Sequence, residues 1–253
     1  LLTAPEHGAL KIGNGLQVLE DPGNNLSLQQ AMQQTRWEST DESVFNRGYS
    51  ASAWWIRFSL RNPHPAATWL LEIAYSPLDQ IDLYLVHGNG DTDHTVMGDK
   101  KPFHERPIEH RYFVAPINMS QHEQIDVYLR LRSTGSVQAP MALWPEAEFY
   151  ARDIGHTGLQ GLYYGGLLII ALYNLLVYTV LRERYYLYYV GWVACMFWFM
   201  ASINGWAFQF LWPYATRWND VSIVASLALP VLFGYLFAYT FLGVRHWPKA
   251  FRW

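Results

Sequence analysis

The sequence predicts a mixed fold: an all-β sandwich of the jelly-roll type over residues 1–150, then an α-helical transmembrane bundle over residues 151–253. Three observations predict it. Charged side chains are concentrated before Arg152. The first part consists of short alternating segments broken by turn signals. The second part holds three long runs that contain no charged residue.

Charged residues make up only 15% of the chain, against about a quarter in an average soluble protein, and the deficit falls in the second part. The net charge of −3, with no basic stripe or base-reading motif, excludes nucleic acid as a partner. Aromatic residues reach 17%, a bias shared by sheets and membrane–water interfaces. Cys195 is the single cysteine, so no intrachain disulfide forms, and its place in an apolar run makes it a small buried hydrophobe. Leu1-Leu2-Thr3-Ala4-Pro5 lacks the basic and apolar regions of a signal peptide; a targeting segment is expected to have been removed or to precede this numbering.

In chain order, Leu26 to Gln34 is the one early helical segment, with Asn25 as its expected cap. Ala53 to Leu60 alternates, with Trp54, Ile56, Phe58 and Leu60 facing the core and Trp55, Arg57 and Ser59 facing away. Asn62-Pro63-His64-Pro65 breaks that strand. Trp69 to Ala74 repeats the pattern, with Trp69, Leu71 and Ile73 opposed to Leu70, Glu72 and Ala74. Gln80 to Val86 sets Ile81, Leu83 and Leu85 against Asp82 and Tyr84, and His87-Gly88-Asn89-Gly90 follows as a hairpin turn. Arg111 to Ala115 and Met141 to Leu143 are short strands. Gln124 to Arg132 alternates most clearly: Ile125, Val127, Leu129 and Leu131 against Asp126, Tyr128, Arg130 and Arg132.

If these strands neighbour one another, the face away from the core presents Trp55, Arg57, Glu72, Asp82, Tyr84, Tyr128 and Arg130. Flat rings stack on sugars, and carboxylates and Arg hydrogen-bond hydroxyls, so this face is the candidate ligand surface. A solvated sheet face with cross-strand ion pairs is the alternative reading of the same residues. The segment His104-Glu105-Arg106-Pro107-Ile108-Glu109-His110-Arg111 adds His104, Arg106 and Arg111 as candidate ligand contacts. Its default role is to fix a loop against the sheet. Its spacing fits no zinc motif, and Asp79, Asp82 and Asp99 form no EF-hand, so Ca²⁺ is a less favoured ligand and no resident metal or cofactor is expected.

Leu159 to Leu181, Tyr185 to Trp206 and Val221 to Leu242 are the three charge-free runs. At ~1.5 Å per residue, about 23 residues reach roughly 34 Å, enough to cross the hydrocarbon core. Arg182, Arg184, Arg245, Lys249 and Arg252 collect on one side of the spans, and Arg152 and Arg217 on the other. The positive-inside rule places the first group in the cytoplasm and residues 1–150 outside. Tyr163 and Tyr164, the tyrosines from Tyr178 to Tyr188, and Trp206, Trp212 and Trp218 mark the two interfaces. Gly161 and Gly165 form a small-xxx-small pair suited to close helix packing, and Asn174 is expected to bond a neighbouring helix. No Asp, Glu, Lys, Arg or His lies within these runs, which argues against a transporter or pump.

Three blocks carry a resemblance: Gly48 to Asn62 (GYSASAWWIRFSLRN), Leu70 to Tyr84 (LLEIAYSPLDQIDLY) and Gly98 to Pro116 (GDKKPFHERPIEHRYFVAP). They resemble the second type of extracellular domain in bacterial seven-transmembrane receptors with diverse intracellular signalling modules. The runs from Gly158 onward are similar to the first three helices of that family's seven-helix domain. The resemblance implies a periplasmic jelly-roll sensor, similar to carbohydrate-binding modules, in a multi-pass protein of the bacterial inner membrane with its C-terminus in the cytoplasm. It also implies a cytoplasmic output, typically a histidine kinase, a diguanylate cyclase or a phosphatase, linking the receptor to two-component or cyclic di-GMP signalling. That output, and four helices, fall outside the sequence, so no enzyme activity is expected within it. The expected partners are the lipid bilayer, a glycan or other small periplasmic ligand, and a second copy of the chain in a homodimer.

No nucleophile elbow, P-loop, dinucleotide fingerprint or His-Glu-x-x-His motif occurs, so no catalytic residue is assigned. Two other classes compete with a receptor. A membrane enzyme or transporter with an accessory β domain needs polar groups at membrane depth. An envelope scaffold binds glycan without signalling. The short link from Trp144 to Gly158 favours the receptor, because a long flexible linker would lose mechanical coupling.

Overall fold

A computed structural model describes residues 1–243. The charges expected at Arg245, Lys249 and Arg252 lie outside the described residues. The chain divides into two compact units: Leu1–Arg152 together with Phe208–Thr216, and Asp153–Ala207 together with Arg217 onward.

The first unit is built from β1 (Leu2–Thr3), β2 (Leu10–Ile12), β3 (Leu16–Asp21), α1 (Leu28–Gln33), β4 (Glu38–Thr40), β5 (Phe45–Tyr49), β6 (Ala53–Arg61) and β7 (Ala67–Ile73). It continues through β8 (Gln80–His87), β9 (Thr92–Met97), β10 (Phe113–Met119), β11 (Gln124–Arg132), β12 (Ser136–Ala139) and β13 (Met141–Pro145). Seven strands form one sheet in the order β4-β3-β6-β11-β8-β9, with β1 added beside β6; four form a second in the order β10-β7-β13-β2; and β12 pairs with β5. All pairings are antiparallel except the two-residue contact of β1 with β6. From β6 to β13 the chain passes repeatedly from one large sheet to the other, as a jelly-roll sandwich requires.

The alternation read from sequence is what builds the core. Ile56, Phe58 and Leu60 of β6, Trp69, Leu71 and Ile73 of β7, Ile81, Leu83 and Leu85 of β8, and Ile125, Val127, Leu129 and Leu131 of β11 all lie in the apolar layer between the sheets. Burying each such side chain contributes about 1.5–3 kcal/mol. The hairpin expected at His87–Gly90 joins β8 to β9, and Gly90 takes the positive φ of +91° that the turn demands.

Several expectations need correction. The cap of α1 is Ser27, not Asn25: the Gln30 amide donates to Ser27 Oγ, and the Ser27 amide donates to the Gln30 side chain. Asn25 belongs instead to the turn closed by Asp21, whose carboxylate accepts from the Asn25 and Leu26 amides. The strand expected from Arg111 begins at Phe113, because Arg106 binds the Arg111 carbonyl into the preceding loop. The short strands β1 to β5, β9 and β12 carry too few alternating residues to announce themselves, and only pairing reveals them. There is no linker from Trp144 to Gly158: β13 ends at Pro145 and helix starts at Glu146.

The helices are α2 (Glu146–Leu181), α3 (Arg184–Ile203), the short α4 (Trp206–Phe210) and α5 (Thr216–Phe241). α2, α3 and α5 are each long and apolar enough to cross a membrane. Arg182, at φ +57°, makes the tight turn between α2 and α3. The distribution of side chains in the second unit is inverted relative to water-soluble packing. Ser202, Asn219, Ser222, Ser226 and Pro230 are buried, while Ile169, Leu176, Val224 and Val231 are more than 60% exposed. Such a surface is stable only against hydrocarbon.

Two sequence readings of the helices also change. Asn174 donates to the Ile170 carbonyl of its own helix (2.8 Å) rather than to a neighbour. Gly161 and Gly165 have open space where a side chain would sit. The close approach is elsewhere: a methyl group on Gly191 would meet the Phe233 ring at 2.6 Å, and one on Gly234 would touch the Trp192 ring at 3.4 Å. Thus α3 and α5 exchange an aromatic for a glycine in both directions, which lets the backbones come close.

Candidate ligand-binding face

Strand register brings six of the seven face residues together on the outer side of the seven-stranded sheet. Arg130 stands opposite both Trp55 and Asp82, forming one cross-strand row. Tyr128 stands opposite both Arg57 and Tyr84, forming the next row. Gln17 extends that second row beyond Arg57, and His94 extends it beyond Tyr84. Glu72 does not join them. It lies in the four-stranded sheet, 2% exposed, where Arg152 (2.9 Å) and the Trp144 indole (2.9 Å) bind its carboxylate.

The charged end of the face centres on Asp82. Its carboxylate accepts from Gln80 Nε2 (2.9 Å) and faces His94 Nε2 (3.2 Å) and Arg130 Nη1 (3.5 Å). Tyr84 lies between the indole of Trp55 (centroids 5.9 Å apart) and the imidazole of His94 (4.2 Å), making a three-ring stack. Burial, then the negative charge of Asp82, raises the Tyr84 phenol above its ordinary range, so it stays a neutral hydroxyl at neutral pH.

Much of this surface is covered. Leu26, Leu28, Ala31 and Trp37, from the segment between β3 and β4, pack with Leu19, Trp55, Tyr84 and Tyr128 into a second apolar cluster. Trp55 is fully buried and Tyr128 is 6% exposed. The guanidinium of Arg57 stacks on Trp37 at 4.3 Å and donates to Gln17 Oε1 at 2.7 Å. What remains open is a polar cleft of about 420 Å³ beside the covered region, lined among others by Gln17, Ser39, Arg57, Ser59, Asp126 and Tyr128. Ser59 donates to Asp126 there (2.5 Å). Strand alternation had already placed Ser59 and Asp126 on this side, but Gln17 and Ser39 sit on strands too short to be read from sequence.

His104, Arg106 and Arg111 are on the connection between β9 and β10, away from the face. A 3₁₀ turn at Phe103–Glu105 leaves His104 against Tyr214 (5.0 Å). Arg106 is buried with its guanidinium 4.4 Å from the Phe113 ring and 4.6 Å from that of Phe103, and it donates to the carbonyls of His110 and Arg111. Burial lowers its pKa to about 10, which still leaves it charged. Arg111 is buried, 4% exposed. Asp79, considered for Ca²⁺, accepts from the amide and hydroxyl of Thr134 and faces Lys100 at 3.5 Å.

A sandwich that leads directly into helices long and apolar enough to cross a membrane defines a multi-pass membrane protein with an attached β domain. Residues 13–145 match the family described as 7TMR-DISM extracellular 2, and residues 156–253 match 7TM diverse intracellular signalling. The chain therefore belongs to the seven-transmembrane receptors with diverse intracellular signalling modules. No curated protein matches it. Among solved structures it is similar to TmCBM61 in complex with β-1,4-galactotriose, at 10% identity and a TM-score of 0.29, covering 55% of this chain and 88% of that one.

Proposed function

We propose that this chain senses a small hydroxylated ligand, such as a saccharide, in the bacterial periplasm and passes the signal through inner-membrane helices to a cytoplasmic histidine kinase or diguanylate cyclase. The observation that carries the reading is the fastening of α2. Its first turns belong to the sandwich: Phe149 is fully buried against Leu70 and Val114, and Arg152 is bound to the buried Glu72. A change in the sheets is thereby delivered to the first residues of a membrane-crossing helix without a flexible linker. The proposed domain limits are residues 1–150 and 151–253, and Arg152 and Phe208–Thr216 of the second domain group with the sandwich.

The open cleft is the proposed entry point, with Arg57 and Asp126 as hydrogen-bonding groups and Tyr128 as a ring surface. The full chain in lipid nanodiscs, titrated with neutral β-1,4- and α-1,4-linked trisaccharides, tests this. Asp126→Ala, which leaves the Arg57–Trp37 stack in place, is expected to weaken binding about tenfold or more, as loss of a charged hydrogen bond of about 1.5–3 kcal/mol implies. Binding that survives Asp126→Ala unchanged removes the cleft from the ligand site.

A further inference from the structure

Three polar side-chain atoms are buried without a hydrogen-bond partner: Trp55 Nε1 and Arg130 Nε on the sheet, and Asn24 Oδ1 in the turn that precedes residues 26–37. They are neighbours. Arg130 and Trp55 are register partners, and Arg130 Nη2 donates to the Asn24 carbonyl at 2.8 Å. Leaving such a group dry and unpaired costs about 1–3 kcal/mol, so a ligand that pairs all three gains what the closed arrangement forgoes. Two are N–H donors and one is a carbonyl acceptor, and the Trp55–Tyr84–His94 stack lies beside them.

The cover above them is weakly held. From Leu26 to Trp37 the side-chain hydrogen bonds and the backbone bonds of α1 stay within the segment or its Asp21 turn: Ser27 with Gln30, Gln34 with Ala31, and the Trp37 indole with the Ala31 carbonyl. Attachment to the sheet rests on Leu26, Leu28, Ala31 and Trp37, of which only Ala31 is fully buried, and on Arg57 stacked against Trp37. Asn24, just before this cover, has a positive φ of +52° and is held in place by its own bond to the Ala51 carbonyl (2.9 Å) and by Arg130.

We infer that residues 26–37 form a strap over a latent subsite, and that a hydroxyl-bearing ring enters by displacing it, stacking on Trp55 while its hydroxyls pair with Trp55 Nε1, Arg130 Nε and Asn24 Oδ1. The inference rests on the proposed saccharide reading and adds regulation to it. A closed strap reduces apparent affinity by the fraction of molecules that are open, so loosening it tightens binding.

The full chain in nanodiscs provides the test, with the trisaccharide panel as probe. Saturating trisaccharide is expected to speed hydrogen exchange of the strap amides, residues 27–34, in the unaltered protein. Leu28→Ser is expected to tighten binding about threefold or more, and Trp55→Phe placed on that background to abolish the gain, because the ring remains but the N–H is lost. Binding with slowed or unchanged strap exchange, and equal affinity in Leu28→Ser, overturns the strap while the saccharide reading survives. No trisaccharide binding to either form overturns both. Binding to Leu28→Ser alone supports the strap. The exchange measurement decides the matter should Leu28→Ser fail to fold.

Discussion

At the scale of single residues, the same side chain can look like a ligand contact or a core element until its cover is known. Trp55 is the clearest instance. Alternation puts it on the outer side of its strand, and it is there, yet it is fully buried beneath Leu28 and Ala31. Trp55→Ala is expected to destabilise the sandwich by about 3–5 kcal/mol, read as a lowered melting temperature of the purified chain. A fall within error would show that the cluster around it is not a packed core. His87 offers a pH test. Its ring bonds Glu123 (2.7 Å) and Asp93 (3.2 Å), chiefly the Glu123 bond raises its pKa above 6.5, and the same bond lowers Glu123 below 4.5. The raised His87 contributes stability that is full below pH 6.5 and lost as pH rises through its folded value. The lowered Glu123 contributes stability that is full above pH 4.5 and lost as pH falls through its folded value. Melting temperature should therefore fall on going from about pH 6 to pH 8.5, and His87→Gln should flatten that slope. An unchanged slope in His87→Gln would assign the dependence to other groups.

At the scale of elements, capping and close approach explain what hydropathy could not. The runs of apolar residues locate α2, α3 and α5, but their contact depends on which small residues face which rings. Gly161 and Gly165 have the familiar spacing and open surroundings, whereas Gly191 and Gly234 have no such spacing and make the contact. Gly191→Leu is expected to push α3 from α5 and cost about 1–3 kcal/mol, seen as loss of monodisperse protein in detergent or a lower melting temperature. Full stability in that variant would contradict the α3–α5 packing. The N-terminal turns of α2 belong to the sandwich because β13 delivers the chain to the outer face of its own sheet. There Trp144, Phe149 and Arg152 meet Leu70, Glu72 and Val114. Charge and hydropathy could mark where the membrane run starts, but not that the helix starts 13 residues earlier, at Glu146 rather than Leu159.

At the scale of the whole molecule, the proposed topology is open to direct mapping. With Cys195→Ala as background, a cysteine replacing Asn89 should react with a membrane-impermeant maleimide added to intact spheroplasts. One replacing Glu183, in the turn between the first two spans, should react only after lysis. The reverse pattern would invert the receptor. Much of this architecture was legible in sequence because hydropathy over about 20 residues and two-residue alternation are local properties that water and lipid enforce directly. The long strands, their core faces, the three spans and the family blocks were all visible in that way. The ligand face was half legible: Trp55, Arg57, Asp82, Tyr84, Tyr128 and Arg130 do share one surface, but Glu72 alternates just as well and belongs to the other sheet.

The chain by itself determined which solvent each half requires and which side of each long strand faces inward, since both follow from the burial of apolar groups along a few consecutive residues. Strand neighbours, the strap over Trp55 and the fastening of Arg152 to Glu72 were decided only in three dimensions. Those contacts join residues as many as 133 positions apart, as Leu10 and Leu143 are in the pairing of β2 with β13, and their free energy depends on pairing register and shared cover rather than on any stretch of sequence alone.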